Sequence, residues 1–253
     1  MSSSCGAKEQ LIMSTSKEEN FISGIYNFCD RWCERCQFTD RCRLFSLEQE
    51  RGIDASELTG DALVRELKGI FAETKQMILQ AAEKWDIDPC EMSDEEFAEI
   101  QLREKEFVEG DELSQMGDVY WRPAKEILDD EELMKRSEND GSLAESVAVL
   151  CHFLFFIPVN VKSSLHALLD HDGFEDGEQV KDSQSYANGS AKSALVAIDR
   201  SIAAWSNLLA TGWTDRVQPL IDLLLAIRAG LEERFPLARD FIRPGFDEIE
   251  VVM

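Results

Sequence analysis

Four cysteines crowd into one short stretch of this chain. Cys29, Cys33, Cys36 and Cys42 fall within fourteen residues in the pattern C-x3-C-x2-C-x5-C, and they are four of the seven cysteines in 253 residues. Closely spaced thiols in a chain without a secretory signal are typical of a metal site rather than a disulfide framework. Thiolates are preferred ligands of zinc and of iron–sulfur clusters. The pattern therefore predicts a metal or iron–sulfur centre held by these four residues.

The spacing also bears on which metal centre is expected. A capping box at Ser16 to Glu19 predicts a helix that places Cys29, Cys33 and Cys36 on one apolar face. Seven residues of helix separate Cys29 from Cys36 by about 10.5 Å. Zn–S bonds near 2.3 Å require sulfurs within about 4 Å of one another. Either the helix breaks or the centre is larger than one ion, so we expect an iron–sulfur cluster more than zinc.

The first three cysteines also invite a comparison with a known family. Their C-x3-C-x2-C spacing resembles the cluster-binding motif of the radical S-adenosylmethionine enzymes. That resemblance covers eight residues and implies an iron–sulfur cluster. In that family the motif lies in a loop after the first strand of a β/α barrel, whereas this chain shows no strand and helix alternation. Cys42 would also fill the iron position that those enzymes leave open.

The chain is strongly acidic, and its charge is unevenly distributed. The formal net charge is −24. Residues 91–140 carry 18 acidic and 6 basic side chains, a net charge of −12, which is half of the charge of the whole chain. Such a surface repels phosphate backbones and anionic lipids, so we expect neither nucleic acid nor a membrane as a partner. A basic protein partner for residues 91–140 is one hypothesis. The oligomeric state stays open.

The cysteine cluster is less acidic than the rest of the chain. Residues 29–43 contain Arg31, Arg35, Arg41 and Arg43 against three acidic residues. Guanidinium groups favour thiolates and can donate hydrogen bonds to sulfur. The alternative is that these arginines lie at a solvated helix end.

Apolar periodicity predicts an all-α fold of seven or eight helices. Apolar residues recur at i+3 and i+4 spacing, and alternating strand patterns are absent. We expect a disordered N-terminus at 1–15, a helical region at 16–140 and a second helical region at 141–253 that packs with the first as one domain. Pro123 is expected to begin a helix, and Pro158 is expected to kink or end one.

A second hypothesis places an enzyme site in the C-terminal half. Glu145, His152, His166 and Asp170 are candidate catalytic or metal-binding residues, because His166 and Asp170 stand one helical turn apart and Glu145 and His152 stand two turns apart. Residues 171–189 form a polar loop long enough to cover such a pocket. This hypothesis requires His152 and His166 to converge.

The sequence leaves the biological role open. No run of about 18 apolar residues or signal-peptide pattern occurs, so we expect a cytoplasmic protein with reduced thiols. A centre with four protein ligands has no open position for substrate, which favours a structural, redox-sensing or electron-transfer role. A redox protein partner is a corresponding expectation, and whether the chain is an enzyme stays undecided.

Overall fold

The computed structural model describes residues 20–51, 60–85, 93–169, 175 and 177–248. These residues form eight α-helices and no strand, which confirms the predicted all-α fold. In chain order the helices are α1 (Arg43–Arg51), α2 (Gly60–Trp85), α3 (Asp94–Gly110), α4 (Glu112–Leu128), α5 (Glu131–Ser137), α6 (Gly141–His166), α7 (Tyr186–Ala210) and α8 (Thr214–Arg234).

Helices α4, α6, α7 and α8 form the core. Helix α7 packs against both α6 and α8, and α4 packs against α6 and α8 on the other side. The interior is mainly apolar and contains a buried hydrogen bond between two large aromatic side chains, in which the Trp205 indole N–H donates to the Tyr120 hydroxyl at 3.0 Å. Side chains with no more than 2% exposure at its centre include Leu150, Phe153, Ile157, Leu195, Ile198, Leu224 and Ile227.

Helix α6 is the central element, and its start and length have identifiable causes. The Asp140 carboxylate caps it by accepting from the backbone N–H groups of Ser142 and Leu143 at 3.0 and 3.2 Å. Pro158 does not end this helix, because α6 continues to His166. Pro158 is buried, and the packing of this face offsets the backbone hydrogen bond that proline cannot make.

Helix α4 also differs from its prediction. It begins at Glu112, where the Asp111 carboxylate accepts from the Leu113 backbone N–H at 2.8 Å, and Pro123 lies inside it rather than at its start. Helix α3 begins with a capping box, in which the Ser93 hydroxyl accepts from the Glu96 backbone N–H and the Glu96 carboxylate accepts from the Ser93 backbone N–H.

The long polar loop is shorter than predicted. Helix α7 already begins at Tyr186, capped by the Ser185 hydroxyl, so residues 186–189 are helical. The buried Asn188 side-chain amide donates to the carbonyl oxygens of Gln179, Val180 and Asp182 at 2.8 to 3.3 Å. These bonds tie the end of the loop to the first turn of α7.

Residues 20–42, here called the cysteine segment, contain no α-helix. The helix predicted to start at Ser16 is therefore wrong for this stretch, and Ser16 itself lies outside the described residues. The segment instead makes three 3-10 turns at Ile25–Asn27, Cys33–Arg35 and Thr39–Arg41. It packs against the start of α7 and against the C-terminal tail, residues 235–248, where Phe28 contacts Phe241.

Candidate metal centre

The four predicted cysteines meet around one small cavity. Cys29, Cys33, Cys36 and Cys42 all line a space of about 20 Å³ in the cysteine segment. Apolar side chains close its other walls, among them Ile25, Phe45 and Phe246. All four residues are free thiols and are partly buried. The structure thus brings together side chains that span fourteen positions of sequence.

The backbone turns explain how cysteines that are distant along an extended chain come together. Arg31 has φ of +58°, the left-handed conformation that only a few residues other than glycine adopt. This residue reverses the chain between Cys29 and Cys33. Further on, Cys36 N–H donates to the Cys33 carbonyl at 3.2 Å, and Cys42 N–H donates to the Thr39 carbonyl at 3.4 Å. Tight turns, not a helical face, gather the thiols.

Backbone amides point at two of the sulfur atoms. Phe38 N–H donates to Cys36 Sγ at 3.4 Å. A hydrogen bond from the Arg31 backbone opposes the burial that otherwise raises the pKa of Cys29. Hydrogen bonds to sulfur stabilise the thiolate over the thiol and are a common feature around thiolate-bound metals.

Electrostatic coupling also indicates that the four thiols are neighbours. Burial, followed by the charge of Glu48 and then by Cys29, Cys36 and Cys42, raises the pKa of Cys33 to about 11. Each additional thiolate in this cavity therefore disfavours ionisation of the next. A bound cation would reverse that effect, because opposite charges favour the ionised form.

The four thiols surround a small cavity and do not converge on a single point. Within the described residues, no three His, Cys, Asp or Glu side chains are grouped so that they could hold a single metal ion. A cavity of about 20 Å³ has room for one water-sized body. Its walls then stand farther from its centre than a Zn–S bond of about 2.3 Å. A single zinc ion would require the sulfurs to move inward, and a four-iron cluster would require them to move outward.

A three-layer stack fixes the middle of the cysteine segment. The Trp32 ring lies against the His152 ring with centroids 4.4 Å apart and planes 13° from parallel. The Arg35 guanidinium carbon lies 3.9 Å from the Trp32 centroid, so it covers the opposite face. Arg35 in turn pairs with Glu145, and His152 Nε2–H donates to the Asp30 carbonyl oxygen at 2.7 Å.

Helix α7 provides the remaining anchors. The Ser193 hydroxyl donates to the Phe28 carbonyl at 3.2 Å, and Arg200 pairs with the Asp30 carboxylate at 2.7 Å. The Phe28 ring also lies directly over Gly189, where an added Cβ would overlap it. The core helices therefore set the position of the residues on either side of Cys29.

Only one of the four predicted arginines acts on a thiol. The charge of Arg31 lowers the pKa of Cys29, against the larger effect of burial. Arg35 stacks on Trp32, Arg41 donates to the Asn20 carbonyl at 3.5 Å, and Arg43 lies 5.5 Å from the Phe21 ring. The basic residues mainly fold the segment.

The predicted enzyme pocket does not assemble. Glu145 and His152 contact the cysteine segment, whereas His166 lies fourteen residues further along α6, about 21 Å away in rise. His166 Nε2 is 3.2 Å from Glu104 on α3. Asp170 and His171 lie outside the described residues. The required convergence of His152 and His166 is thus absent.

Sequence reasoning missed the residues that connect the segment to the core. Ser193 lies 165 positions from its partner Phe28, and Arg200 lies 170 positions from its partner Asp30. No local pattern indicates these pairs. Trp32 is the exception, because an aromatic residue inside a cysteine cluster is a visible signal of packing.

Comparison with known proteins adds no identification. No protein family, curated protein or solved structure matches this chain. By length and composition one helix in the described residues, Gly141–His166, could cross a membrane, and 44% of its most apolar stretch is buried within the fold. The fold and site define a helical protein with a four-cysteine cavity.

Proposed function

We propose that this protein is a metal-binding helical protein that holds an iron–sulfur cluster through Cys29, Cys33, Cys36 and Cys42. The observation that carries this proposal is the single cavity lined by all four thiols. Four cysteine thiolates are the usual ligands of two-iron and four-iron clusters. The amides directed at sulfur support the same interpretation, because such hydrogen bonds tune cluster potential.

The structure removes the spacing evidence for a cluster over a single zinc ion, since the segment is not helical. The cavity has room for one water-sized body, so the four sulfurs would have to move inward to bind zinc and outward to enclose a four-iron cluster. Zinc remains the competing occupant that an experiment must distinguish.

Full ligation favours a structural, redox-sensing or electron-transfer role rather than substrate chemistry at the metal. Four protein ligands leave no open coordination position. The cysteine segment buries only Ile25 and Phe28 completely, so a bound centre would add substantially to its order. All five cysteines that the structure describes are free thiols. We include a reducing compartment, such as the cytoplasm, in the proposal.

The test is anaerobic purification followed by an absorption spectrum and analysis for iron, sulfide and zinc. Wild type is compared with Cys33→Ser and with Cys151→Ser, whose thiol is exposed on α6 outside the cavity. We expect a brown wild-type protein with iron and sulfide, loss of both in Cys33→Ser and retention in Cys151→Ser. Zinc in place of iron, lost only in Cys33→Ser, would replace the cluster by a structural zinc site. Metal-free wild-type protein, or metal retained by Cys33→Ser, would overturn the proposal.

A structural role predicts a local effect of metal removal. Chelation under reducing conditions should speed backbone amide exchange in residues 25–42 and leave α6 and α7 protected, because those helices are stabilised by apolar burial. Hydrogen exchange with mass spectrometry measures both regions in one sample. Equal exchange in the segment before and after chelation would argue against a structural contribution from the centre.

A further inference from the structure

A large cleft lies beside the cysteine cavity and plays no part in holding the proposed cluster. It has a volume of about 720 Å³, which is within the usual range for small-molecule sites. The cysteine segment forms one wall, α6 and α7 form the floor, and the C-terminal tail closes one end. Cys36 and Trp32 line both spaces. A ligand in the cleft would therefore lie next to the cysteine site.

The charge of this cleft is unusual for so acidic a protein. Arg35, Arg200 and Arg243 line it against two acidic residues, Asp30 and Glu145, although the whole chain carries a formal charge of −24. All three guanidinium groups are paired with carboxylates. Arg243 makes two hydrogen bonds to Asp247 at 2.8 and 2.9 Å, Arg35 pairs with Glu145, and Arg200 pairs with Asp30, so the cleft is close to neutral overall.

Arg35 and Arg200 retain most of their hydrogen-bonding capacity. In the described part of the chain each guanidinium donates a single hydrogen bond, from Arg35 to Glu145 and from Arg200 to Asp30. A guanidinium has five N–H donors, so four remain on each side chain. Guanidinium groups bind carboxylates and phosphates with paired hydrogen bonds, which gives both strength and orientation.

The two arginines are also held in position before any ligand binds. The Arg35 guanidinium lies over the Trp32 ring, which is itself stacked on His152. Arg200 pairs with one oxygen of the Asp30 carboxylate, and the other oxygen accepts from the Trp32 backbone N–H at 3.1 Å. Side chains that are already ordered lose less conformational entropy on binding. The same residues thus fold the cysteine segment and present donors to the cleft.

The floor of the cleft carries apolar side chains and an additional hydrogen-bond acceptor. Val149, Ala203 and Ala204 line its floor. The Asn207 amide nitrogen donates to the Ser146 hydroxyl at 2.8 Å and to Ser142, which directs the amide group and leaves its oxygen without a donor among the described contacts. An apolar wall with a few convergent polar groups is the usual form of a small-molecule site.

We propose that this cleft binds a small organic anion whose carboxylate or phosphate group is held by Arg35 and Arg200. The proposal goes beyond the metal centre, because Arg200 and the floor of the cleft belong to α6 and α7, although Arg35 lies in the segment that a bound centre would order. The affinity of the cleft should fall with salt, since partly exposed charge pairs are screened over about 8 Å at physiological ionic strength.

Calorimetric titration of the full chain with inorganic phosphate and, separately, with succinate tests the proposal and distinguishes the two anion sources. We expect one of these probes to bind with millimolar or tighter affinity, and Arg200→Gln to weaken that binding about tenfold or more. Arg216→Gln is the matched control. Arg216 also pairs with one aspartate, Asp130 at 3.0 Å, and its side chain is 47% exposed against 51% for Arg200, but it is not part of the cleft.

Three results would overturn the anion site: no binding of either probe, unchanged binding in Arg200→Gln, or an equal loss in both arginine variants. Thermal melting of each variant checks that folding is preserved. Repeating the titration on Cys33→Ser separates this proposal from the metal centre. Anion binding by a metal-free Cys33→Ser protein would support the anion site independently of the metal centre. A metal-containing wild type that binds neither anion would exclude the anion site and leave the metal centre unaffected.

Discussion

The core helices and the cysteine segment are built by different kinds of interaction. In α6 and α7 most inward-facing side chains are fully buried and apolar. In the cysteine segment only Ile25 and Phe28 are buried, and the remaining contacts are single hydrogen bonds, ion pairs and ring stacking. The core is therefore expected to fold through burial alone, whereas the segment depends on its anchors and on what the four thiols bind.

The magnitudes of these interactions separate the two regions further. Full burial of a leucine or isoleucine side chain stabilises a fold by about 1.5–3 kcal/mol. An exposed ion pair such as Arg35–Glu145 contributes about 0–1 kcal/mol, and a hydrogen bond contributes about 0.5–1.5 kcal/mol. Metal binding adds its free energy to folding wherever the unfolded chain lacks a formed site. A thiolate-bound centre would thus matter far more to the segment than to the core.

The largest expected effect comes from weakening the core. Leu150 is fully buried in the middle of α6, so Leu150→Ala removes apolar contacts and leaves a cavity. We expect the free energy of unfolding to fall by about 2–5 kcal/mol. Urea unfolding followed by circular dichroism measures this change. Val159→Ala on the same helix is the control, because Val159 is 62% exposed and should change stability by less than about 0.5 kcal/mol.

A loss at Leu150 no larger than the loss at Val159 would contradict the assignment of α6 as the central core helix. It would also remove the basis of the comparison, since both regions would then depend on weak contacts.

The sequence predicts the core well because its signal is repeated. Helices α7 and α8 each carry several turns of apolar residues at i+3 and i+4 spacing, so single exceptions do not alter the prediction. Local rules were less reliable where packing opposed them. Pro123 and Pro158 both lie inside helices, because burial of the surrounding side chains compensates for the missing backbone hydrogen bonds.

The cysteine segment shows the opposite case. Ile25, Cys29, Cys33 and Cys36 are spaced as on one helical face, yet they meet because successive tight turns bring them to one cavity. The spacing predicts which four thiols cluster. It does not predict the backbone conformation, because that depends on partners such as His152 and Arg200 that lie more than 100 residues away.

An intermediate effect is expected where the two regions touch. The rings of Phe28 and Phe241 lie over Gly189 in the first turn of α7, and Gly189→Ala would push its Cβ into both. Overpacking of this kind costs about 1–3 kcal/mol. We expect lower thermal stability together with faster amide exchange around Phe28, because that ring must move. Gly141→Ala in the first turn of α6 is the control, since nothing lies within 4 Å of its added Cβ.

A normal amide exchange rate around Phe28 in a destabilised Gly189→Ala protein would indicate that α7, and not the segment, absorbs the strain. That result would mean the segment is held more firmly than its few anchors suggest.

The smallest expected effect at neutral pH concerns the buried hydrogen bond between Trp205 and Tyr120 in the core. Tyr120→Phe leaves the buried Trp205 indole N–H without its acceptor and should cost about 1 kcal/mol, the lower end of the range for an unsatisfied buried donor. The two side chains are fully buried, so this bond belongs to the core and not to the segment.

The pH dependence of the free energy of unfolding identifies the contribution of Tyr120. Burial raises the pKa of Tyr120 to about 12, against the opposing hydrogen bond from Trp205. An unfolded tyrosine has a pKa of about 10. The neutral phenol therefore stabilises the fold below about pH 10, and this contribution is lost as the pH rises towards about 12. By about pH 11 the loss amounts to about 1.4 kcal/mol.

Urea unfolding between about pH 8 and about pH 11 measures this loss of unfolding free energy. We expect it in wild type and in the control Ser193→Ala, which alters an anchor of the cysteine segment, but not in Tyr120→Phe. An identical slope in all three proteins would show that Tyr120 ionises without leaving the core, and the core would then be less dry than its buried side chains indicate.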